Sequence, residues 1–368
     1  MKYKKLKEII EFNPQEKINK KKKYKKIKME NIKCFNKNIS QYSIEEYNGG
    51  MKFRNGDTLL ARITPCLENG KTAQVDILDE NEIGYGSSEY IVMRPKDEIS
   101  DKDYIYYLAI SPFFRDVAIK SMVGTSGRQR VQLDVLKNLE MLIPDYEIQV
   151  KIGKILSKFD EKININNQTN DNLLELIKKL YIEKIKNNND INFEEKNLDE
   201  FCNIFTGKKN ANASEENGQY KFFTCAPEPL SINSYIYDGP AVIVAGNGAY
   251  TGRTNFYNGK FDLYQRTYGI TTNNDYIYLF YAMIYTDLQN DIMGGTHGSA
   301  IPYIVMNDIA KFKVKYNKEL FDELSQKIKV LLLKIKSNEA QNETLEQLRD
   351  TLLPKLMNGE IDLDKIEI

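Results

Sequence analysis

Histidine is almost absent from this chain: 368 residues contain one, His297. That scarcity removes most zinc sites, Cys–His dyads and Ser–His–Asp triads at once, and leaves His297 as a polar residue of the loop "GGTHGSA". Cysteine is scarce as well. Cys34, Cys66, Cys202 and Cys225 are scattered and form no C-x-x-C pair, so neither a disulfide framework nor a zinc knuckle is indicated, and reduced structural thiols are expected. No stretch approaches the roughly 20 apolar residues that span a bilayer. The opening "MKYKKLKEII" is charged where a secretory signal needs an apolar core. A cytosolic protein with no membrane partner is expected.

Net charge is missing too, with 52 Lys and Arg against 52 Asp and Glu. The balance conceals a local excess: between Lys17 and Lys28 there are eight lysines, among them Lys20, Lys21, Lys22, Lys23 and Lys25. Such a block is either a solvated arm or a set of phosphate contacts. Residues 199 to 316 carry nine Lys and Arg against eleven Asp and Glu, so any cationic face there has to be local.

What the chain does have is an internal repeat. "VGTSGRQRVQLDVLKNLEMLIPDYEIQVKIGKIL" finds a loose echo about 171 to 173 residues later in "GGTHGSAIPYIVMNDIAKFKVKYNKELFDELSQKIKVLL". In each copy a Gly-Thr-x-Gly loop, Gly124 to Gly127 and Gly295 to Gly298, leads into a short apolar strand and then a long helix. The first helix carries Ile148, Ile152, Ile155, Phe159, a polar interlude at Asn166 and Asn170, then Leu173, Ile177 and Leu180. The second carries Leu324, Ile328, Leu331, Ile335, then Asn338 and Asn342, then Leu345, Leu348, Leu352 and Leu356. Alternating steps of four and three make a coiled-coil seam. Each helix runs for roughly 40 residues, or about 60 Å at about 1.5 Å per residue, more than a globular core requires. Two matching seams with matching polar centres in one chain most simply pair with each other; helices from separate bundles or a homodimer seam are the alternatives.

Ahead of each helix lies a segment of mixed strand and helix character. The first has strand signals in "TLLARI", "TAQVDI" and "EYIVMRP" with a helix at "KDYIYYLAISPFFRDVAIKSM"; the second has "GPAVIVAG", "RTYGITT" and a helix at "YIYLFYAMIYTDLQNDI". The expected architecture is α+β: globular domains over 1–146 and 191–316, a first long helix over 147–190, and a second with the C-terminal tail over 317–368. Two similar domains held by a rigid spacer can grip one extended polymer at two points, and duplex DNA, repeating every 10.5 bp or so, is the polymer for which fixed spacing matters most.

"GDTLLARITPCLENGKTAQ", "GTSGRQRVQLDVLKNLEMLIPDYEIQVKIGKIL" and the C-terminal "LEQLRDTLLPKLMNGEIDL" resemble the specificity subunit of type I restriction-modification systems. "GQYKFFTCAPEPLSINSYIYDGPAVIVAGNGAYTGRTNFYNGKF" resembles that family's other common target-recognition domain type. The resemblance covers essentially the whole chain, and its most specific pieces are "ARITPCLENGK" and "LRDTLLPKLMNGEI". It implies two target-recognition domains, each reading half of a bipartite site in double-stranded DNA. It further implies an antiparallel two-helix coiled coil with approximate two-fold symmetry that sets the gap, two methyltransferase subunits docked on the helices, restriction and translocase subunits in the full complex, no cofactor and no catalysis by this chain. In keeping with that, the sequence has neither an [N/D]-P-P-[Y/F] adenine-methylation motif nor a Walker A sequence.

The DNA-contact candidates follow from side-chain chemistry. Arg62, Asn69 and Lys71 surround a Pro65, Asn69-Gly70 turn, though Arg62 pairing with Glu68 to brace that turn explains the same residues. Arg128 and Arg130 follow the first Gly-Thr-x-Gly loop. In the second domain, the turn in "AGNGAYTGR" presents Asn247, Tyr250 and Arg253, with Lys260 and Arg266 nearby; an ordinary turn between strands is the alternative, and the context of a dinucleotide fingerprint is lacking. Two other functions stay open: a stand-alone DNA-binding regulator or scaffold, and a nuclease using Asp145, Glu147 and Lys151, residues that also suit the start of the first helix.

Overall fold

A computed structural model of the chain describes residues 1–19, 21–288, 303–361 and 363; Lys20, His297 and the loop Gly295 to Gly298 lie outside them. The chain forms two compact units, residues 1–167 with 339–368, and residues 168–338. Among the described residues no helix is long and apolar enough to cross a membrane, and all four cysteines are free thiols.

In the first unit, strand Lys2–Lys5 pairs antiparallel with Glu140–Ile143 and closes the domain just ahead of its long helix. Between them lie two four-stranded sheets. One runs Ile10–Phe12, Tyr90–Pro95, Thr58–Ala61, Thr72–Gln74; the other Ser43–Glu46, Lys23–Ile27, Gly84–Gly86, Lys52–Phe53. Strand Thr58–Ala61 is buried throughout because both faces are covered. Leu60, Ile91 and Met93 join a core with Ile105, Leu108 and Phe114, while Leu59, Ala73 and Val92 join a second with Ile27 and Phe53. That alternation is the two-residue period of a strand.

The helix expected across "KDYIYYLAISPFFRDVAIKSM" is two helices, Lys102–Ile110 and Pro112–Lys120. Pro112 has no N–H to donate and forces its predecessor out of the helical region, and Ser111 accordingly sits extended at φ −62°, ψ 143°. Asp101 starts the first helix by accepting hydrogen bonds from the N–H groups of Asp103 and Tyr104.

The second unit repeats the frame: Glu194–Asn197 pairs antiparallel with Lys313–Tyr316, directly ahead of the second long helix. Its interior differs, with one six-stranded sheet ordered Asn203–Thr206, Thr267–Thr271, Tyr237–Ala245, Thr254–Leu263, Tyr220–Phe223, Leu230–Ile232. What is duplicated is therefore the frame rather than the sheet within it. Val242, Val244 and Ile270 face helix Tyr276–Met283, and Ala241 and Ile243 face Phe223, Phe261 and Leu263.

The long helices span Tyr146–Tyr181, followed by a wider π turn Ile182–Lys186, and Lys318–Met357. In the first unit they run antiparallel: Asn166 Nδ2 donates to Gln341 and Asn342 at 2.8 Å, and Asn342 donates to Asn167 at 2.9 Å. In the second unit Asn338 donates to Asn170 at 2.8 Å. The polar centres expected from the sequence do meet. The apolar seam departs from the expectation in the first unit, where the buried line runs through Ile152, Leu156, Asp160 and Ile163 opposite Arg349, Leu353 and Leu356, leaving Phe159 half-buried and Leu348 exposed. The step from Asn342 through Leu345 to Arg349 turns Leu348 outward. Asp145 begins the first helix, its carbonyl accepting from Ile148 and Gln149.

Candidate nucleic-acid interface

The stretch from Arg62 to Lys71 folds as a compact turn between strands Thr58–Ala61 and Thr72–Gln74. Backbone bonds from Leu67 to Ile63, Asn69 to Pro65 and Lys71 to Cys66, at 3.0–3.1 Å, coil it upon itself. Gly70 completes it at φ +79°, where a Cβ would also fall 2.4 Å from the Phe35 ring. Leu67 plugs the turn into the core. Arg115, buried in helix Pro112–Lys120, donates to the carbonyls of Leu67 and Glu68 at 3.0 and 3.2 Å, with its guanidinium 4.8 Å over Phe35. Desolvation holds the Arg115 pKa below its ordinary value. Sequence reading passed over Arg115, although its helical spacing to Ala118, on the side away from Asp116 and Lys120, was a signal.

A second loop is zipped onto this turn. Val123 and Arg130 exchange backbone hydrogen bonds across the base of the Gly124 to Gly127 loop, Thr64 N–H donates to Gln129 O at 3.1 Å, and Val131 N–H donates to Arg62 O at 2.9 Å. Arg130 then clamps Glu89, its Nε and Nη2 lying 2.8–3.1 Å from the carboxylate. Arg62 leans on the same carboxylate at 3.7 Å. The Arg62–Glu68 pairing is thus overturned: Glu68 accepts from Thr64 Oγ1 at 2.9 Å, and Glu89, which sequence reading missed, gathers both arginines. Asn69 and Arg128 remain exposed.

The Arg130 hydrogen bond, ahead of its charge and that of Arg62, holds the Glu89 carboxyl below its ordinary pKa of 4.5. A lowered folded-state pKa contributes stability above the unfolded value, and that stability is lost as pH falls through the folded value. Glu89→Gln is therefore expected to lower stability only modestly near neutrality, because the Arg130 side chain is partly exposed and the pair is screened by solvent. Urea midpoints across a pH series should show wild type and variant converging once the pH drops below the lowered Glu89 value. A gap that persists in acid would contradict the clamp.

The lysine run divides. Lys21, Lys22 and Lys23 are exposed. Lys25, by contrast, is committed to Glu82 and Asp79 at 3.0 and 3.1 Å and to Ile77 O at 3.0 Å, all in the segment that leads into the neighbouring strand Gly84–Gly86. Lys71 turns inward, donating to Met29 O at 2.8 Å. Beside this sheet lies an open polar cleft of about 520 Å³ lined by Lys28, Asn48, Gly49, Gly50, Ser87 and Ser88, and the chain leaves it directly into Glu89.

In the second unit, residues 246–253 form the turn that links strands Tyr237–Ala245 and Thr254–Leu263. Gly248 and Gly252 take φ of +84° and +80°, Ala245 N–H donates to Arg253 O, and Gly246 N–H donates to Arg266 O at 2.8 Å. Tyr250 is exposed and carries the Arg253 guanidinium 5.9 Å from its ring centroid. Arg266 is exposed beside it. Lys260 is not: it pairs across the hairpin with Asp238, far from the turn, and lies over the rings of Tyr235 and Tyr220 at 4.8 and 5.7 Å. Neighbours in sequence part company here because six strand residues carry the chain about 20 Å. Ile304 N–H donates to Gly246 O at 2.8 Å, and Asn247 bridges to Tyr303. Both units thus join the segment after their Gly-rich loop to the strand end that bears the exposed polar turn.

The described residues contain no group of three or more His, Cys, Asp or Glu able to hold a metal. What the two turns offer instead is amide, guanidinium and phenol groups on braced backbone, the chemistry that reads base edges and phosphates.

A family model described as the type I restriction modification DNA specificity domain matches residues 1–175 and again 190–347. A type I restriction enzyme EcoDI specificity subunit of Escherichia coli is 37% identical over 172 residues, which is 45% of this chain and 37% of that protein. The MjaIX specificity subunit of Methanocaldococcus jannaschii is 26% identical over 317 residues, 74% of this chain and 72% of that protein. This chain therefore matches little more than a third of the length of the E. coli relative. Among solved structures, an S subunit of a type I restriction-modification system from M. genitalium superposes with a TM-score of 0.55 at 17% identity, covering 96% of this chain and 95% of that one.

Proposed function

This chain belongs to the type I restriction-modification DNA specificity family, and on that premise we propose that it is the non-catalytic, cytoplasmic subunit that tells such a complex where on DNA to act. Each globular domain reads one half of a bipartite, asymmetric site, and partner subunits methylate adenine or cleave the DNA. The observation that carries this reading is the double match: each matched stretch takes in one globular domain and the long helix after it, or most of it.

The proposed reading surface of the first domain, 1–146, is the turn bearing Asn69, the Arg128 loop and the cleft at Asn48, Ser87 and Ser88, with Arg62 and Arg130 oriented by Glu89 and the exposed Lys21, Lys22 and Lys23 meeting phosphates. In the second domain, 191–316, it is Asn247, Tyr250, Arg253 and Arg266. Lys25, Lys71 and Lys260 are spent on carboxylates, a carbonyl and aromatic rings, and drop out of the contact set. The long helices, 147–190 and 317–368, serve as one antiparallel coiled coil that sets the gap.

The helices also leave large apolar side chains in the open, Ile165 at 55% and Val330 at 67% exposure, which suits the docking of methyltransferase subunits. Co-expression of the full chain with its methyltransferase, followed by mapping of modified adenines, should return one two-part motif with a constant gap. A single contiguous motif, or no modification that depends on this chain, would count against the reading.

A further inference from the structure

Two buried carboxylates take no part in either reading turn, and both sit where a globular domain meets a long helix. In the first unit, Asp160 projects from the first long helix with 7% of its side chain exposed. Its Oδ2 accepts the hydroxyl of Tyr107, from helix Lys102–Ile110, and its Oδ1 accepts Nη1 of Arg349, from the second long helix, both at 2.5 Å. Beside it Lys37, half-buried, donates to Asp103 at 2.8 Å and to Ser157 Oγ at 2.7 Å, and lies 5.3 Å over the Tyr107 ring.

Lys37 belongs to the segment that brackets the reading turn: Phe35 N–H donates to Gly70 O, and Gln74 N–H donates to Lys37 O, each at 2.9 Å. Both long helices, the domain's helix and the base of the reading turn are thus fastened at one polar junction. The second unit builds the same chemistry from other positions. Asp287, 8% exposed at its side chain, accepts the hydroxyl of Tyr181, at the end of the first long helix, and, at 2.5 Å, the ammonium of Lys186, from the π turn that follows it.

Stability alone does not call for such groups. A buried ion pair is often matched or bettered by apolar residues of similar volume, and neighbouring seam positions here are isoleucine and leucine. What a tyrosine–carboxylate–guanidinium junction adds is direction, since hydrogen bonds fix distance and angle where apolar side chains tolerate small repacking. We propose that Asp160, Arg349, Tyr107 and Lys37 are positioning residues that set the angle of the first recognition domain on its helices, and with it the gap the protein accepts, and that Asp287, Tyr181 and Lys186 do the same in the second unit. The inference rests on the DNA-reading function proposed above. One base pair of gap displaces a half-site by about 3.4 Å and about 34°, so a domain free to tilt accepts neighbouring gaps.

The test uses the full chain assembled with its methyltransferase and duplexes carrying the native half-sites at the native gap and at one base pair more or fewer. Two variants are compared with wild type, Asp160→Leu with Arg349→Leu, and the milder Asp160→Asn with Arg349→Gln; whichever is folded by melting decides. The expected result is unchanged base preference within each half-site, with discrimination between gaps reduced by about tenfold or more. A folded variant that keeps wild-type gap discrimination overturns the proposal, as does one that changes half-site bases and leaves the gap intact. A wild-type complex indifferent to gap would instead strike at the underlying function, so the two failures are distinguishable.

Discussion

Four residues inserted after Asn167 in the first long helix, together with four after Asn338 in the second, are expected to make the complex abandon its native site for one with a longer gap. The insertions fall where the two compact units divide, between 167 and 168 and between 338 and 339, and beside the asparagine pairs that align the helices. Four residues lengthen each helix by about 6 Å. They also rotate it by little more than one full turn, so the buried face is nearly preserved on either side. At about 3.4 Å per base pair, the half-sites should move apart by about two base pairs, and methylation at the original site should fall by at least about 100-fold, a misplacement effect of ordinary size for a positioned reaction. Sequencing of modified adenines reads both outcomes together. Retention of the original gap would remove the helices as the measure of spacing.

Arg94→Met is expected to cost the first unit a large part of its stability. Arg94 lies between two enclosed carboxylates, holding Asp57 through Nε at 2.8 Å and Nη2 at 2.7 Å and Glu16 through Nη1 at 2.8 Å. Asp57 is 1% exposed. Burial already lifts its pKa above the ordinary carboxylate value despite the arginine. Without Arg94 its remaining support is the Arg54 N–H at 2.8 Å, and breaking a buried pair in this way costs about 3–5 kcal/mol.

The sign of the pH dependence follows. Asp57 in the variant has a folded-state pKa raised further above its unfolded value, so the destabilisation is full at neutral pH and recedes as pH falls through that raised value and the group takes up a proton. Denaturant titrations at pH 7.5 and 5 should show the variant's deficit shrinking in acid, while a transition belonging to the second unit stays in place. Adding Asp57→Asn should return part of the loss. A deficit under about 1 kcal/mol at neutral pH would mean that the network contributes no more than a surface pair.

The amino-acid sequence by itself determined the parts that depend on period and on local chain chemistry. The four-and-three spacing specified two long helices, the alternating apolar runs specified the strands, and the placement of Asn166, Asn170, Asn338 and Asn342 foretold the polar pairs that meet in each unit. The duplicated frame was legible for the same reason, as its two copies use the same local patterns in the same order. Periodicity has no means of ranking a charged residue as interior, so the seam through Asp160 and Arg349 was assigned instead to Phe159 and Leu348; only packing against Tyr107 could show that a carboxylate and a guanidinium belong inside. Long-range pairing settled the site in the same way. Arg62 met Glu89, 27 positions away, in preference to Glu68; Arg115 came up beneath the turn from a separate helix; Lys25 and Lys71 were drawn inward by partners dozens of residues distant; and Lys260 was carried by its own strand away from Arg253. A charge is satisfied by whatever the fold brings within a few ångströms, and that neighbour is set by the sheet and helix packing of the whole unit rather than by position along the chain.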